Sequence, residues 1–390
     1  MSRLYLDNAA TSFPKPEAVY KAVEDCLRNV GSAHGRSGTR GAMTVQSLVE
    51  RARGGVARLL GASRPDRVVF TASGTDGLNL VLRGLLRPGD HVVAGSVEHN
   101  SVLRPLRALE AVGVRLSLVP PRCGVVLDEN DFREAMRPDT RLVVVQHASN
   151  VTGERQPVEK IGNLAHAAGA LVLVDAAQTV GSMPLDVRAL GCDFLAAPAH
   201  KGLLAPLGTG IVWFGDGMEE RVESLRQGGT GTSSELETQP SIMPDKYEAG
   251  NPNGPGLAGL AAAVAWLEQT GVDIVAARER EAVARFRDEL AGEPGVELFR
   301  SHSGNGGPVD GVGVVSLRIA GYDPRDAAMI LDESFEIDTR PGLHCAPGAH
   351  RALGTDRGGG TVRFSFGPFT TPADAERAAD AVRQIARSAP

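Results

Sequence analysis

From about residue 40 to residue 215 the chain alternates between two hydrophobic patterns. Short apolar runs rich in β-branched residues are separated by segments such as PVEKIGNLAHAAG, in which apolar residues recur at helical spacing. Nearly continuous apolar strands between helices are typical of a mostly parallel sheet that is covered on both faces. The pattern therefore predicts an α/β architecture. The runs interpreted as strands are VVF at 68, HVVA at 91, VRLSLVP at 114, RLVVVQHAS at 141, ALVLVDAA at 170, DFLAAPA at 193 and GIVWF at 210.

The pattern changes between residues 227 and 256, a stretch dense in Gly, Pro, Ser and Thr that indicates a long loop or linker. An apolar helix, a charged helix and the strands GVGVVSLRIA and TVRFSFG follow it, and they indicate a smaller α+β domain. A chain of 390 residues usually divides into two domains. We predict a large domain at 16–254 and a small one formed by 1–15 with 255–390, which the N-terminal strand joins.

Charge and targeting signals limit the classes of function. The net charge is −6, and the acidic and basic residues are interspersed, without the Lys/Arg clusters of a nucleic-acid-binding protein. The start, MSRLYLDNAATSFPKP, lacks the basic flank and apolar run of a signal peptide. No stretch stays apolar for the ~20 residues that span a bilayer. We therefore expect a cytoplasmic protein with neither nucleic acid nor membrane as partner.

The four cysteines, Cys26, Cys123, Cys192 and Cys345, have neither metal-ligand spacing nor the density of a disulfide framework. No metal site is predicted. Cys26 falls in a predicted helix and Cys192 just before a strand, where thiols usually pack as small buried hydrophobic groups, so we expect both to be inert.

Ligands of open parallel sheets bind beyond the carboxyl ends of the strands, so the residues after each strand are the candidates for chemistry. Asp175 ends the strand of VLVDAAQ, Gln178 follows it, and Lys201 comes after the next strand. A lysine that bonds to the aldehyde of pyridoxal 5'-phosphate (PLP) and a carboxylate that keeps its ring nitrogen protonated are what PLP chemistry needs. Gln178 can donate to the ring oxygen. Taken singly, Asp175 also fits a capping residue and Lys201 an ordinary surface lysine, neither with a role in catalysis.

A phosphate group needs a cradle of its own. FTASGTDGLNLVL predicts a strand, a turn of small residues and a helix that begins near Gly74 and Thr75. The N–H groups at such a helix start suit a dianion. His200, next to Lys201, supplies a further donor or simply caps the local turn.

Two more polar residues reach the same predicted edge. His99, in GSVEHNSVLRP, follows the strand HVVAG, and its imidazole can stack on a pyridine ring and shuttle protons. Asn150, in VVVQHASNVTG, can bond a cofactor oxygen or a substrate carboxylate. The alternative for His99 is a purely structural role at the start of a helix. The alternative for Asn150 is an Asx turn.

The smaller domain carries two further candidates. Arg363, in TVRFSFG, offers a planar fork to a substrate carboxylate, and we assign Arg340 to the same substrate-binding set. Cys345 lies in TRPGLHCAPGAH after Arg340 and His344. Positive charge there favours the nucleophilic thiolate, and the glycine permits the loop to move.

Together these residues resemble a known family, the cysteine desulfurases and selenocysteine lyases of the class V aminotransferase group, which are fold type I PLP enzymes. The resemblance runs nearly from end to end. The motifs that carry it are YLDNAATSFPKP, GRSG, SGTDGLNL, EHNS, SNVTG, VDAAQ, the HK pair at 200–201, GGTG, RPGLHCAP and TVRFSFGP.

The resemblance implies a large domain with a mostly parallel seven-stranded sheet and a smaller domain that carries the cysteine loop. It implies a homodimer, with Thr232 or its neighbour in the GGTG loop reaching the partner's phosphate, and it places Arg36 near the substrate. Lys201 would move the α proton of L-cysteine, and Cys345 would take the sulfur as a persulfide and leave L-alanine. A protein sulfur acceptor and activity on L-selenocysteine are both compatible with it.

One position departs from the family pattern. Many relatives carry Ser or Thr two residues before the HK pair, where its hydroxyl donates to phosphate, and this chain has Pro198. We expect Thr75, His200 and the partner loop to compensate.

Three functions stay open at this point. The first is persulfide-forming desulfuration of cysteine. The second is a selenocysteine lyase or another PLP-dependent lyase, epimerase or transaminase in which Cys345 is a bystander. The third is a non-catalytic protein that keeps the fold to bind a sulfur acceptor. Products separate the first two, because β-elimination gives pyruvate and ammonia instead of alanine and enzyme-bound sulfur.

Overall fold

A computed structural model describes residues 3–33, 38–232, 235–300 and 311–388 of the chain. Within these ranges the α-helices are α1 (Glu17–Asp25), α2 (Arg40–Leu59), α3 (Gly74–Leu85), α4 (Asn100–Glu110), α5 (Glu129–Ala135), α6 (Val158–Ala167), α7 (Val187–Leu190), α8 (Gly254–Thr270), α9 (Val272–Glu289), α10 (Pro324–Phe335), α11 (Pro347–Ala352) and α12 (Pro372–Arg387). The strands are β1 (Leu4–Tyr5), β2 (Val68–Thr71), β3 (His91–Gly95), β4 (Arg115–Val119), β5 (Thr140–Gln146), β6 (Leu171–Asp175), β7 (Phe194–Pro198), β8 (Gly210–Phe214), β9 (Val296–Phe299), β10 (Val314–Ile319), β11 (Ile337–Asp338), β12 (Arg340–Gly342) and β13 (Thr361–Ser365).

The larger sheet has seven strands in the order β2-β8-β7-β6-β5-β3-β4. The five strands from β7 to β4 in that order run parallel, and β8 pairs antiparallel with both β2 and β7. All residues of β3, β6 and β7 are buried, as expected of strands that helices cover on both faces. The mostly parallel sheet predicted from the apolar runs is confirmed, and so are the seven strands that the family resemblance implies.

This topology brings the carboxyl ends of the parallel strands to one edge. The last residues of β5 and β6, Gln146 and Asp175, lie opposite each other in the ladder. The loop after β3 leads into α4, and the loop after β2 leads into α3. Side chains from segments far apart in sequence therefore meet at this edge, as the general rule for open parallel sheets predicts.

A second sheet of four antiparallel strands has the order β12-β13-β10-β9. Strand β1 pairs in parallel with β11, and Leu4 and Leu6 pack in the same hydrophobic cluster as Phe286, Val362 and Phe364. The N-terminal strand thus joins the smaller layer, as predicted.

Helix α8 packs on the core of the larger sheet. Its residues Leu257, Leu260 and Val264 belong to the same hydrophobic cluster as Val45 and Val49 of α2. The predicted domain boundary between residues 254 and 255 remains a prediction. Helix α8 follows that boundary in the sequence, but its apolar face packs on the core of the larger sheet. Among the described residues no single helix is long and apolar enough to cross a bilayer; α8 and α9 meet that criterion only when taken together, and they are bent by 81°.

Candidate active site

A cavity of about 210 Å³ opens at the carboxyl edge of the larger sheet. Many of the residues singled out in the sequence form its wall, although they come from five separate segments of the chain. The predicted residues that line it are Gly74, Thr75, His99, Asn150, Asp175, Gln178, His200 and Lys201.

The cavity presents an amine and an acid. Lys201 is half-buried in the wall, and burial, reinforced by the positive charge of Arg363, lowers the pKa of its amine to about 8. Asp175 is 5% exposed and accepts a 3.0 Å hydrogen bond at Oδ1 from the backbone N–H of Ala177. Burial raises the pKa of Asp175, while that hydrogen bond and the charge of Lys201 act in the opposite direction. The pair supplies the two groups that a pyridine aldehyde requires.

One end of the cavity suits an anion. Ser73 caps α3 by accepting a hydrogen bond from the N–H of Asp76, and the N–H groups of Gly74 and Thr75 have no acceptor within the helix because of their position. A Cβ atom at position 74 would lie 2.8 Å from Cδ of Pro198, so only glycine allows the helix start to approach so closely. Positive potential and free donors at a helix start favour a phosphate.

His200 adds an unsatisfied ring nitrogen to this wall. Its Nδ1 atom is buried and has no hydrogen-bond partner among the described residues. Burial lowers the pKa of the imidazole to about 4, so the ring is neutral at pH 7. A buried polar atom without a partner is costly, which fits a wall built to meet a bound ligand.

Ser101 joins two predicted site residues and was missed by the sequence analysis. Its hydroxyl lies 2.7 Å from Oγ1 of Thr75 and 3.0 Å from Nδ1 of His99, and its backbone N–H also donates to that nitrogen at 3.0 Å. Since Nδ1 of His99 accepts, the ring proton of the neutral imidazole resides on Nε2. Burial, with the charge of Lys201, lowers the pKa of His99 to about 4. The position of Ser101, two residues after His99 at a helix start, is the only signal in the sequence for its role.

The two amides of the site have protein partners. Gln178 donates from Nε2 to the backbone oxygen of Ala9 at 3.2 Å. Asn150 donates from Nδ2 to the backbone oxygen of His344 at 2.7 Å, while its Oδ1 atom is buried without a partner among the described residues. Each amide keeps a second N–H for a ligand.

Arg363 lies behind the cavity, 1% exposed. Its guanidinium donates to Oδ1 of Asp7 at 2.8 Å and to the backbone oxygen of Asn150 at 3.1 Å, and its Nε has no partner among the described residues. Asp7 neutralises this buried charge and was not singled out in the sequence. The structure therefore places Arg363 as a paired cation beside the site, with N–H groups left for a carboxylate.

The cysteine loop is fixed at both of its central carbonyl groups. Asn150 bonds the carbonyl of His344, and the backbone N–H of Asn100 donates to the carbonyl of Cys345 at 2.7 Å. The thiol is exposed and lies 3.9 Å from a guanidinium nitrogen of Arg340. That the glycine permits this loop to move remains a prediction, and in the structure these two hydrogen bonds hold the loop beside the cavity wall.

His344 does not contribute positive charge near the thiol. Its ring is buried, and burial, with the charge of Arg363, holds its pKa well below the usual value. Arg340 is therefore the cation beside Cys345, and the sequence expectation for His344 was wrong because the imidazole turns inward instead of toward the sulfur.

One predicted site residue lies away from the cavity. Thr232 is exposed, outside the cavity lining, and its hydroxyl donates to Asp245. Arg36 lies outside the described residues. Cys26 and Cys192 are buried, and burial raises the pKa of both thiols, as expected of inert groups.

Comparison with known proteins identifies the family to which the chain belongs. The family model for aminotransferase class V matches residues 4–378. A probable cysteine desulfurase of Methanothermobacter thermautotrophicus is 35% identical over 387 residues, which cover 98% of this chain and 94% of that protein. The apo structure of a cysteine desulfurase from Thermococcus onnurineus NA1 superposes with a TM-score of 0.90 at 31% identity, covering 99% of this chain and 95% of that one. The crystal structure of the cysteine desulfurase CsdA of Escherichia coli superposes with a TM-score of 0.87 at 30% identity, covering 100% of this chain and 96% of that one.

The fold and the cavity thus define a member of the aminotransferase class V family, with the type I fold of PLP enzymes. Within that family the chain belongs with the cysteine desulfurases.

Proposed function

We propose that the chain uses PLP bound at Lys201 to convert L-cysteine into L-alanine, with the sulfur retained as a persulfide on Cys345. The observation that carries the proposal is the cavity that gathers Lys201, Asp175 and the start of α3, with the exposed thiol of Cys345 on the loop that Asn150 anchors to its wall. A lysine, an acid and a phosphate cradle alone would serve many reactions. The adjacent thiol is the feature that selects sulfur transfer.

The residues present fit PLP. Asp175 would face the ring nitrogen, His99 the ring, and the start of α3 with Thr75 and His200 the phosphate. Nδ1 of His200 and Oδ1 of Asn150, which have no hydrogen-bond partner in the described part of the chain, fit a pocket that is completed by a ligand. When bound, PLP supplies an electron sink for negative charge on the substrate carbon.

Lys201 is suited to proton transfer. With a pKa lowered to about 8, about a tenth of its amine is neutral at pH 7 and about half at pH 8, and the neutral form is able to accept the α proton of cysteine. The remaining N–H groups of Arg363 bind the substrate carboxylate, and Asp7 keeps the guanidinium in place.

Cys345 then attacks the sulfur of the substrate as a thiolate, with a guanidinium nitrogen of Arg340 3.9 Å from its own sulfur. A sulfur–sulfur bond forms and the substrate carbon–sulfur bond breaks, with its electron pair left on the substrate carbon, which is then protonated. Cysteine and one thiol thus become alanine and one persulfide, so no external oxidant is consumed. A protein acceptor or a small thiol then collects the terminal sulfur.

A homodimer is part of the proposal. A groove lined by Phe13, Leu27 and Leu207, which are 56%, 64% and 65% exposed, borders the site. Ser12, which also lines it, donates from its backbone N–H to the carbonyl of His200 at 2.9 Å. Apolar surface of this kind usually marks an interface, and a second copy that covers it could bring Thr232 to the first subunit's phosphate end.

Product analysis tests the proposal. The PLP-loaded enzyme is incubated with L-cysteine and, separately, with L-selenocysteine, and alanine, pyruvate and ammonia are quantified for wild type and Cys345→Ala. Alanine formation from cysteine that depends on Cys345 supports the proposal. Alanine from selenocysteine alone would favour a selenocysteine lyase, pyruvate with ammonia would indicate β-elimination, and absence of PLP binding would indicate a non-catalytic protein.

A further inference from the structure

A buried chain of hydrogen bonds lies directly behind Cys345. Nε2 of His344 is 2.9 Å from the backbone oxygen of Arg340, and Nδ1 of His344 is 3.1 Å from Nε2 of His350. Nδ1 of His350 is in turn 2.8 Å from Oγ1 of Thr355. His344, His350 and Thr355 are 4%, 0% and 1% exposed, so water does not compete for these bonds. None of the proposed chemical steps uses His350 or Thr355.

The proton positions along this chain follow from the backbone carbonyl at its end. A carbonyl only accepts, so Nε2 of His344 donates to Arg340, and Nδ1 of the neutral ring must accept from His350. Nδ1 of His350 must then accept from the hydroxyl of Thr355. Burial lowers the pKa of His350 to about 4, with a further contribution from Arg318, and holds the pKa of His344 well below its usual value, so both rings are neutral at pH 7.

This chain of hydrogen bonds ends at a strained segment of the backbone. His344 and Cys345 adopt φ angles of 49° and 57°, in the left-handed region that residues with a side chain rarely enter. Fixing both ring nitrogens of His344 immobilises its side chain and holds its backbone in this conformation. Because Cys345 is the next residue, the direction of the thiol depends on that conformation.

Helix α11 provides a firm base for the chain. A Cβ atom at Gly348 would lie 1.7 Å from the backbone oxygen of Ser96, so the glycine lets α11 sit directly against the loop after β3. His350 lies on this helix, two residues further on. The imidazole that holds His344 is therefore attached to the layer that carries the cavity.

We propose that His350 is a positioning residue for Cys345: its N–H donation to His344 holds the left-handed turn that aims the thiol at the substrate sulfur. The inference rests on the proposed desulfurase function and adds a residue to it. His350 touches neither the substrate nor the cavity, and it acts only through His344.

The test separates the thiol step from the steps that precede it. In His350→Leu, Nδ1 of His344 loses its donor, and we expect kcat for alanine formation from cysteine to fall about 10- to 100-fold per PLP-loaded site, the size of effect that a displaced reacting group causes. The KM for cysteine should change little. Exchange of the α proton of L-alanine with deuterated solvent, which needs Lys201 but no thiol, should stay at the wild-type rate.

Two further variants make the assignment specific. His350→Gln restores a donor near the position of Nε2 and should recover most of kcat. His91→Leu is a matched control. His91 is as buried as His350, and its ring bonds the hydroxyl groups of Thr140 at 2.8 Å and Ser117 at 2.9 Å. It lies at the amino end of β3, away from the cavity at the carboxyl end. The His91→Leu variant should lower stability without changing kcat per PLP-loaded site.

The outcomes distinguish the two proposals. Unchanged kcat in His350→Leu, an equal loss of α-proton exchange, or no recovery in His350→Gln would overturn the positioning role while leaving the desulfurase assignment in place. Should His350→Leu fail to fold, Thr355→Val weakens the same chain from its far end and should lower kcat in the same selective way; a Thr355→Val enzyme with unchanged kcat would overturn the role. A wild-type enzyme that forms no persulfide on Cys345 would instead overturn the proposed function.

Discussion

The side-chain amide of Asn150 donates a 2.7 Å hydrogen bond to the main-chain oxygen of His344. Asn150 lies just after β5 in the larger layer, and His344 belongs to the cysteine loop that follows β12 in the smaller one. The next carbonyl of the loop, that of Cys345, accepts from the N–H of Asn100, the first residue of α4. The thiol is thus held by the same elements that form the cavity wall.

The Asn150→Ala variant tests this link. It leaves a buried carbonyl without a donor, which costs about 1–3 kcal/mol, and it frees the loop. We expect the free energy of unfolding in urea to fall by about that amount and persulfide formation to slow. Asn130→Ala is the control, because the Asn130 side chain bonds only exposed groups of Asp128 and Arg133. If both variants lose equal stability, the bond to His344 does not anchor the loop.

The pKa of Lys201 predicts the pH dependence of cofactor uptake. Burial, helped by Arg363, lowers that pKa to about 8 from the ordinary value of 10.5. Only the neutral amine attacks the aldehyde, so the rate at which apoenzyme takes up PLP should rise with pH and level off above about 8. Stopped-flow absorbance measures this rate. A rate that continues to rise toward pH 10 would show an ordinary, solvated lysine.

Asp175→Asn removes the negative charge from the buried end of the cavity. An amide does not keep a pyridine nitrogen protonated, so we expect PLP to bind while kcat falls by about 100-fold or more. Asp193→Asn is the matched control: Asp193 accepts from the N–H of Val172 at 2.7 Å in the same sheet but does not line the cavity. Steady-state alanine formation compares the two. Equal losses would mean that the effect of Asp175 is structural.

Ser101→Ala tests whether this hydroxyl makes up for the one that Pro198 lacks. When Ser101 donates to Thr75, the hydroxyl proton of Thr75 is free for phosphate, and losing that support should weaken PLP binding about fivefold, the value of one hydrogen bond. Equilibrium dialysis of PLP measures the change. The control is Ser117→Ala, which removes from β4 the hydroxyl that bonds the ring of His91. It should leave the dissociation constant of PLP unchanged. An unaltered constant in Ser101→Ala would exclude this role.

The sequence was most informative where the physics is local. Apolar runs predicted each strand of the larger sheet, and the rule that ligands bind at carboxyl ends then brought Asp175, Asn150 and Lys201 to one cavity. Glycine at position 74 was identified as part of the phosphate turn. Periodicity and strand ends sufficed for these predictions because they depend on neighbours in sequence.

Contacts between distant segments escaped sequence reasoning. Asp7 pairs with Arg363 across almost the whole chain, and the direction of a side chain such as His344 depends on His350, which only the fold places beside it. The hydrogen bonds to the carbonyl groups of His344 and Cys345 were not predicted either, because the sequence shows only a glycine that permits motion. A single sequence contains no signal for such bonds.

The most direct test is a single turnover in which PLP-loaded enzyme meets one equivalent of L-cysteine without an acceptor, followed by alkylation and mass analysis of the Cys345 peptide. We expect one additional sulfur atom on Cys345 for each alanine released, and neither alanine nor a persulfide in Cys345→Ala. Alanine without added mass on that peptide, or the extra sulfur on Cys26, Cys123 or Cys192, would contradict it.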